Sequence, residues 1–520
     1  MRFKIRRVCI WVILVQVFLI TLHVIFYQNF TGLNAISTRK KDVLIFMYER
    51  RQATNQTIDN TTLHTEYRKD KYNDKYGASV RDNPGRILTK LLQTTVTTRQ
   101  MVDIIAHNTS QTRKKKMMSL GRKCNDVDFD ARVEENDNWQ AVDNKTAFVF
   151  SSYYVEKTKT IIIIGARSQH HMRFFCLLWH ENNGKYTAEQ VDASVKQLPE
   201  GHHLWYSAVF FECKLSSHNV LPSHVSVVRA PCSNPANILK VRDTLQPERY
   251  PRRFTVCLTP LNTNYSRAYE LVEWIELNRI MGAEKFVIYN HSISDNIADA
   301  LDYYRGKHLV DIVQWRLPMN TDTKNGTKLP EIHYFGQIAA LQDCLYRNKA
   351  ESEFIVNIDL DEFIVPHDDN VSEWSYMIKQ LPMEPGAYIF RSTFFRKEWE
   401  NVYLSSKELV DKYRLITLQK LNHEQQIFPV QRRSKYFART FDVRQVMIHG
   451  VQFLPTKKKA HSVPVEVGLL HHYRDWENEM SLPEIKVFDD TIPRKYSKTL
   501  IERVAKIWSI LKDVKMDAVY

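Results

Sequence analysis

Glycine is scarce in this chain, at 14 of 520 residues, and several other features are missing altogether. There is no Cys-x-x-Cys pair and no Cys/His spacing of the zinc-binding kind, which excludes a zinc-finger reading. Nor is there a basic zipper or an RNP-like aromatic motif. Apart from residues 113–116 the basic residues are dispersed, so the formal charge of +14 reads as solvated basic surface and not as a nucleic-acid footprint. Long apolar runs are absent with one exception near the N-terminus, so the chain does not cross a membrane many times. What is present is 43% hydrophobic and 12% aromatic residues, enough for a sizeable core, in a length that suits two or three domains.

The exception is residues 8–27, apolar but for Gln16, Thr21 and His23 and preceded by Arg2, Lys4, Arg6 and Arg7. About twenty apolar residues match the bilayer, and the positive cluster belongs on the cytoplasmic side. The run is longer than the apolar core of a cleaved signal peptide and lacks a clean small-x-small site, which favours an uncleaved anchor. The expected layout is a cytoplasmic tail at 1–7, a single transmembrane helix at 8–27 and a polar stem at 28–123. The rest of the chain then lies in the lumen or outside the cell. Sequons at Asn29, Asn55, Asn60, Asn108, Asn144, Asn264, Asn290, Asn325 and Asn370 fit that compartment. So do six cysteines beyond the anchor, compatible with up to three disulfides whose connectivity the sequence leaves open.

Residues 124–252 carry β-rich runs at 147–154, 160–164, 173–179, 204–213 and 225–229, which predicts a small antiparallel, sandwich-like domain. Asp126, Asp128 and Asp130 have no apolar strand running into them and read as a solvated loop. From residue 254 the pattern changes. Strands are predicted at 254–258, 285–289, 309–315 and 354–358. Helices between them begin near Ser266, a candidate cap, and end at Gly282, then span 295–304 and 334–348. Repeated strand–helix–strand units imply a parallel sheet covered by helices, and ligands of such sheets bind beyond the carboxyl ends of the strands.

The fourth of these strands runs into Asp359, Asp361 and Glu362. Three clustered carboxylates are costly to bury without a counter-charge. At a strand end they suit a hard divalent ion such as magnesium or manganese, which also holds a diphosphate. Further strands are predicted at 387–395, 413–419, 435–441 and 445–449. A second polar cluster, Gly468-Leu-Leu-His-His-Tyr-Arg474, follows, and the last thirty residues read as an amphipathic packing helix.

Cys257-Leu-Thr-Pro260, Glu273-Trp274, Gly282, Tyr289, Gly336-Gln337, Asp343-Cys344, Asp359-Leu-Asp-Glu-Phe363 with Pro366, and His472-Tyr473-Arg474 together resemble glycosyltransferase family 92, a group abundant in nematodes. The resemblance covers roughly residues 254–476. It implies a GT-A, Rossmann-like α/β domain over 253–520 with a C-terminal helical extension, and a Golgi type II location. It also implies a UDP-sugar donor with a manganese or magnesium cofactor, and inverting transfer of a hexose, galactose by the resemblance, to a glycan or glycoprotein acceptor such as fucose on an N-glycan core. By position, Asp359 should face the ribose and metal, Asp361 should bind the metal, and His472, before its neighbour His471, should be a further ligand. Glu398 or Glu400 should be the base that inversion requires. Thr259, Leu261, Asn290, Asp295, Tyr334 and Gln337 are candidates for the donor pocket, and Lys435 and Arg439 for phosphate. His449 reads as a core histidine, Cys257 and Cys344 as a pair or as buried thiols, and a homodimer is compatible. The alternatives are a catalytically silent glycan-binding or scaffold protein on the same fold, and a metal-assisted hydrolase.

Overall fold

The computed structural model describes residues 121–130, 138–143, 145–170, 172–215, 220–321, 330–453, 458–475 and 485–518. The apolar run at 8–27, the stem before residue 121, and Asn29, Asn55, Asn60, Asn108, Asn144 and Asn325 lie outside them. Among the described residues no helix is long and apolar enough to cross a membrane.

From residue 252 the strand–helix alternation becomes a seven-stranded sheet. Arg252–Leu261, Lys285–Asn290, Val310–Gln314 and Ser352–Asn357 are its parallel strands, and in chain order they lie side by side as 3-2-1-4. The helices Ala268–Met281, Asp295–Gly306 and Gln337–Arg347 make the crossovers. Gly282 ends the first in a left-handed turn at φ 119°, as its place in the sequence predicts. Ser266 does not cap that helix: its N-cap is Arg267, and the Ser266 hydroxyl faces Asp517 instead. In a 3-2-1-4 order the strand sequence reverses between strands 1 and 4, so a crevice opens past the ends of Arg252–Leu261 and Ser352–Asn357. Three more strands extend the sheet, beginning with Lys435–Arg439, which runs antiparallel to Ser352–Asn357.

A second, five-stranded sheet begins immediately after the carboxylate cluster. Its strand Glu362–Pro366 pairs antiparallel with Gly468–Arg474, which pairs parallel with Ser392–Arg396. The single strand expected at 387–395 is two, Ala387–Phe390 and Ser392–Arg396, one in each sheet; the chain changes sheets at Arg391. The strand expected at 413–419 is instead the end of a helix, Lys407–Tyr413, and a short turn, Ile416–Leu418. There the buried Glu273 carboxylate accepts the backbone N–H groups of Ile416 and Thr417, which are then unavailable to a ladder. The C-terminal helix Thr491–Ile510 buries Leu500, Val504, Ile507 and Trp508, the predicted apolar stripe.

The β-rich segment forms a nine-stranded sheet that closes on itself, where a sandwich was expected. The cause is the thirteen-residue strand Lys185–Gln197. It pairs with Phe174–Asn182 along most of its length and with Tyr206–Lys214 at its end. Closure removes unpaired edges. This barrel does not keep a core to itself: Phe150, Tyr153, Ile162 and Phe210 share a buried cluster with Cys257, Tyr289, Trp315 and Leu341. Inside that boundary Asp343 accepts hydrogen bonds from Ser151 Oγ and Tyr153 OH, each at 2.6 Å, and from Tyr289 OH at 2.7 Å, while Arg347 lies 3.0 Å away. All six cysteines beyond the apolar run are paired, as Cys124–Cys232, Cys176–Cys213 and Cys257–Cys344.

Candidate active site

Phe354, Ile355 and Val356 bury the middle of Ser352–Asn357, and the chain leaves the sheet through Ile358 into Asp359, Leu360 and Asp361. Two backbone contacts fix this exit. Trp274 Nε1 donates to the Asp359 carbonyl at 2.9 Å, and Tyr473 N donates to the Asp361 carbonyl at 2.8 Å. The carboxylates therefore stand at the crevice where the strand order reverses.

Asp359 is held from two sides. Thr259 Oγ1, at the end of the neighbouring strand, donates to its Oδ1 at 3.1 Å, and Lys435 Nζ donates to its Oδ2 at 2.8 Å. Lys435 is fully buried and also lies 3.3 Å from Glu362 Oε2. Burial alone would lower its pKa, but the carboxylates of Asp359 and Glu362 outweigh that and raise it. Lys435, a candidate phosphate contact from the sequence, is thus the buried counter-charge of the cluster, engaged by Asp359 and Glu362.

Asp361 points the other way. Its side chain is 40% exposed, and its Oδ2 lies 3.1 Å from His472 Nε2. Burial disfavours its charged form, yet the His472 imidazole beside it draws the carboxyl well below the usual carboxylate range. The other His472 nitrogen, Nδ1, lies 3.3 Å from Glu362 Oε1, and burial pushes the Glu362 carboxyl upward. Glu362 thus stands beside the second His472 nitrogen without a hydrogen bond to it. The donor set of one accessible carboxylate oxygen and one imidazole nitrogen, with Asp359 close by, therefore fits a divalent cation.

His471 and His472 are neighbours in Gly468–Arg474 and so project to opposite faces of the sheet. The structure puts His472 beside Asp361 and turns His471 away toward His367 and Asp489. The strand Lys435–Arg439 sorts its two basic ends in the same way. Because it runs antiparallel, Arg439 pairs with Phe354, at the far end of the strand from Asp359. There it bonds Glu353 and the Pro385 carbonyl, so it is not a phosphate ligand.

The remaining expected positions divide. Leu261 is 4% exposed and packs in the hydrophobic core, so only its backbone faces the crevice; its carbonyl accepts from His291 N and Ser292 N. Asn290 is half-buried and Asp295 exposed at the start of its helix. Gln337 is buried at the first turn of Gln337–Arg347. Just before it Tyr334, Phe335 and Gly336 take successive positive φ values of 39°, 54° and 71°, a strained turn held by Trp315 Nε1 donating to the Phe335 carbonyl at 2.8 Å. His449 is half-buried with Nδ1 3.2 Å from the Ser434 carbonyl, and burial pushes it down to about 4, which suits a core histidine. Glu398 and Glu400 are both exposed, just past Ser392–Arg396, whose Phe394 pairs in register with His472. Glu400 is bonded by Lys486, which lowers its pKa.

Two residues were not singled out by sequence reasoning. Glu362 was seen only as part of the acidic run, yet it contacts both Lys435 and His472. Glu200 arrives from the barrel with φ 62° and accepts Ile448 N at 3.1 Å; burial raises its pKa and Lys435 opposes the rise. No local signal in the sequence marks Glu200, because its place depends on how the barrel packs.

The profile of Glycosyltransferase family 92 matches residues 252–515, half of the chain, and it takes in Thr259, Asp359, Asp361, Glu362, Lys435 and His472. The chain belongs to glycosyltransferase family 92. Among curated relatives, the beta-1,4-galactosyltransferase galt-1 of Caenorhabditis elegans is 27% identical over an alignment of 237 residues that covers 42% of this chain and 51% of that protein. The family 92 protein F13G3.3 of the same organism is 25% identical over 181 residues, 34% of each chain. The matched part thus spans between a third and about half of these relatives. Among solved structures, S. aureus TarS 1-349 in complex with UDP-GlcNAc aligns over 45% of this chain and 62% of its own at 12% identity, with a TM-score of 0.23. At that score the superposition shares too little backbone to inform the site.

Proposed function

We propose that this chain is a metal-dependent, inverting glycosyltransferase of the GT-A type, moving a hexose, galactose, from a UDP-sugar to a glycan acceptor. The observation that carries this reading is the accessible Asp361 carboxylate, 3.1 Å from His472 Nε2, at the crevice where the parallel strand order reverses. Family membership and the galactosyltransferase name of one relative support the donor assignment.

In this reading Asp361 and His472 would hold a manganese or magnesium ion, with Glu362 beside the second nitrogen of His472. When bound, such an ion stabilises the negative charge that develops on the diphosphate leaving group. Thr259 and Lys435 fix Asp359 toward the donor, with Lys435 offsetting the charge of Asp359 and Glu362. Glu398 is the base: it takes the proton of the acceptor hydroxyl as that oxygen attacks the anomeric carbon and the sugar–phosphate bond breaks. Glu400 is the weaker candidate, because Lys486 lowers its pKa. Three disulfides among the described residues support an oxidising lumen, and we place the chain in the Golgi as a single-pass type II protein.

The test incubates the full-length chain with a panel of UDP-sugars and with fucosylated or plain glycans, with and without manganese. Manganese-dependent transfer from UDP-galactose is expected. No transfer from any donor would favour a silent glycan-binding protein, and release of free sugar without an acceptor would favour a hydrolase.

A further inference from the structure

On the face of Gly468–Arg474 opposite His472, three side chains from separate segments converge. His367 follows Glu362–Pro366, His471 lies within Gly468–Arg474, and Asp489 stands just before the helix Thr491–Ile510. Their facing atoms are His367 Nε2, His471 Nε2 and Asp489 Oδ2, and they form a triangle with sides of 2.8, 3.4 and 3.7 Å. His471 is 1% exposed, Asp489 7% and His367 18%.

We propose that this triangle is a zinc site with three protein ligands, distinct from the Asp361–His472 pair and independent of the transferase reading. Two imidazole nitrogens at 2.8 Å cannot both present lone pairs to each other without something positive between them. A proton serves a line between two atoms. Here a third donor, the Asp489 carboxylate, converges on the same point, which is what a metal ion uses. Tetrahedral zinc with ligands at about 2.0–2.1 Å has ligand–ligand edges of about 3.3 Å, and the three sides bracket that length.

The surroundings hold the donors in place. Asp489 accepts Thr491 N on Oδ1 at 2.8 Å, leaving Oδ2 to the cluster, and its own N–H donates to the Leu421 carbonyl at 2.8 Å. Phe395 stacks on the His471 ring at 4.5 Å and fixes its plane. The donors narrow the chemical class: two imidazoles with one carboxylate suit zinc or iron(II), whereas manganese and magnesium prefer oxygen, and the 2.8–3.7 Å sides favour four-coordinate zinc. The fourth vertex falls to water, reached past the partly exposed His367. Such an ion would pin the start of the C-terminal helix to the strand that carries His472.

The test measures zinc and manganese by elemental mass spectrometry in the full-length chain, loaded with excess zinc and desalted. Wild type and Asp361→Ala should each retain about one zinc per chain, and His367→Ala and Asp489→Asn should retain none. A chelator should lower the wild-type melting temperature, and zinc, not manganese, should restore it. The proposal is overturned if loaded wild type holds no zinc, or if zinc is lost with Asp361→Ala and kept by His367→Ala. The wild-type measurement stands even where a variant fails to fold, and none of these readouts depends on sugar transfer.

Discussion

His471 and His472 are adjacent in one strand, and Lys435 and Arg439 are four residues apart in another, yet in each pair the two members live in different worlds. His472 and Lys435 belong to the open edge of the sheets, where Asp361 is 40% and Asp359 32% exposed. His471 and Arg439 belong to the closed body, where each is engaged by protein: His471 with His367 and Asp489, Arg439 with Glu353 and a backbone carbonyl. The same side-chain chemistry thus stands beside the exposed carboxylates on one side and within protein contacts on the other. The deciding variable is the strand end or sheet face that each residue occupies and not its own exposure, since Lys435 is fully buried while Arg439 is 18% exposed. Open-edge substitutions should therefore alter activity more than stability, and closed-body substitutions the reverse.

The sharpest break in that comparison is Asp361→Ala. Loss of an electrostatic stabiliser of the leaving group should reduce transfer on the order of 10²–10³-fold. Because the carboxylate is well exposed, the melting temperature should move by no more than about 2 °C. Near-normal turnover in a folded variant would remove Asp361 from the metal site. Lys435→Met tests the one open-edge residue that is itself fully buried. Removing the cation leaves Asp359 and Glu362 without their counter-charge, which should cost about 3–5 kcal/mol in denaturant unfolding together with activity. A stable, active Lys435→Met protein would show that the cluster does not need it. Smaller again is the split between the two exposed acids. Glu398→Ala should lose on the order of 10²-fold in turnover with UDP-sugar binding intact, and Glu400→Ala should stay within a few-fold of wild type. If both keep full turnover, the base is another carboxylate, and Glu200 is then the one to substitute.

Much of the open edge was legible in the sequence because it is local. An apolar run ending in Asp359 and Asp361 announces both the strand and its exit, and the strand–helix alternation before it locates the crevice. The alternation of side chains along a strand says that His471 and His472 face opposite ways, but not which one faces Asp361; that depends on the pairing of Glu362 with His472. Lys435 and Arg439 were equally ambiguous, since the sequence does not reveal that their strand runs antiparallel to Ser352–Asn357. The barrel was misread as a sandwich because closure depends on a pairing between Lys185–Gln197 and Tyr206–Lys214 that no local pattern encodes. Residues 413–419 were misread because their apolar composition suits a strand, while Glu273, more than 140 residues away, takes their N–H groups.

The smallest expected effect tests the closed body alone. Arg439 spans Glu353, the Pro385 carbonyl at 3.1 Å and the face of Phe354 at 4.5 Å, all at the end of the sheet remote from Asp359. Lysine keeps the charge there but gives up the planar fork and the ring contact, so Arg439→Lys should cost about 1–2 kcal/mol of stability. Its UDP-sugar turnover at a temperature where the protein is folded should equal that of wild type. A selective loss of activity at unchanged stability would mean that the two ends of Lys435–Arg439 are coupled through the strand, and that distance from the crevice does not by itself separate the two groups of residues.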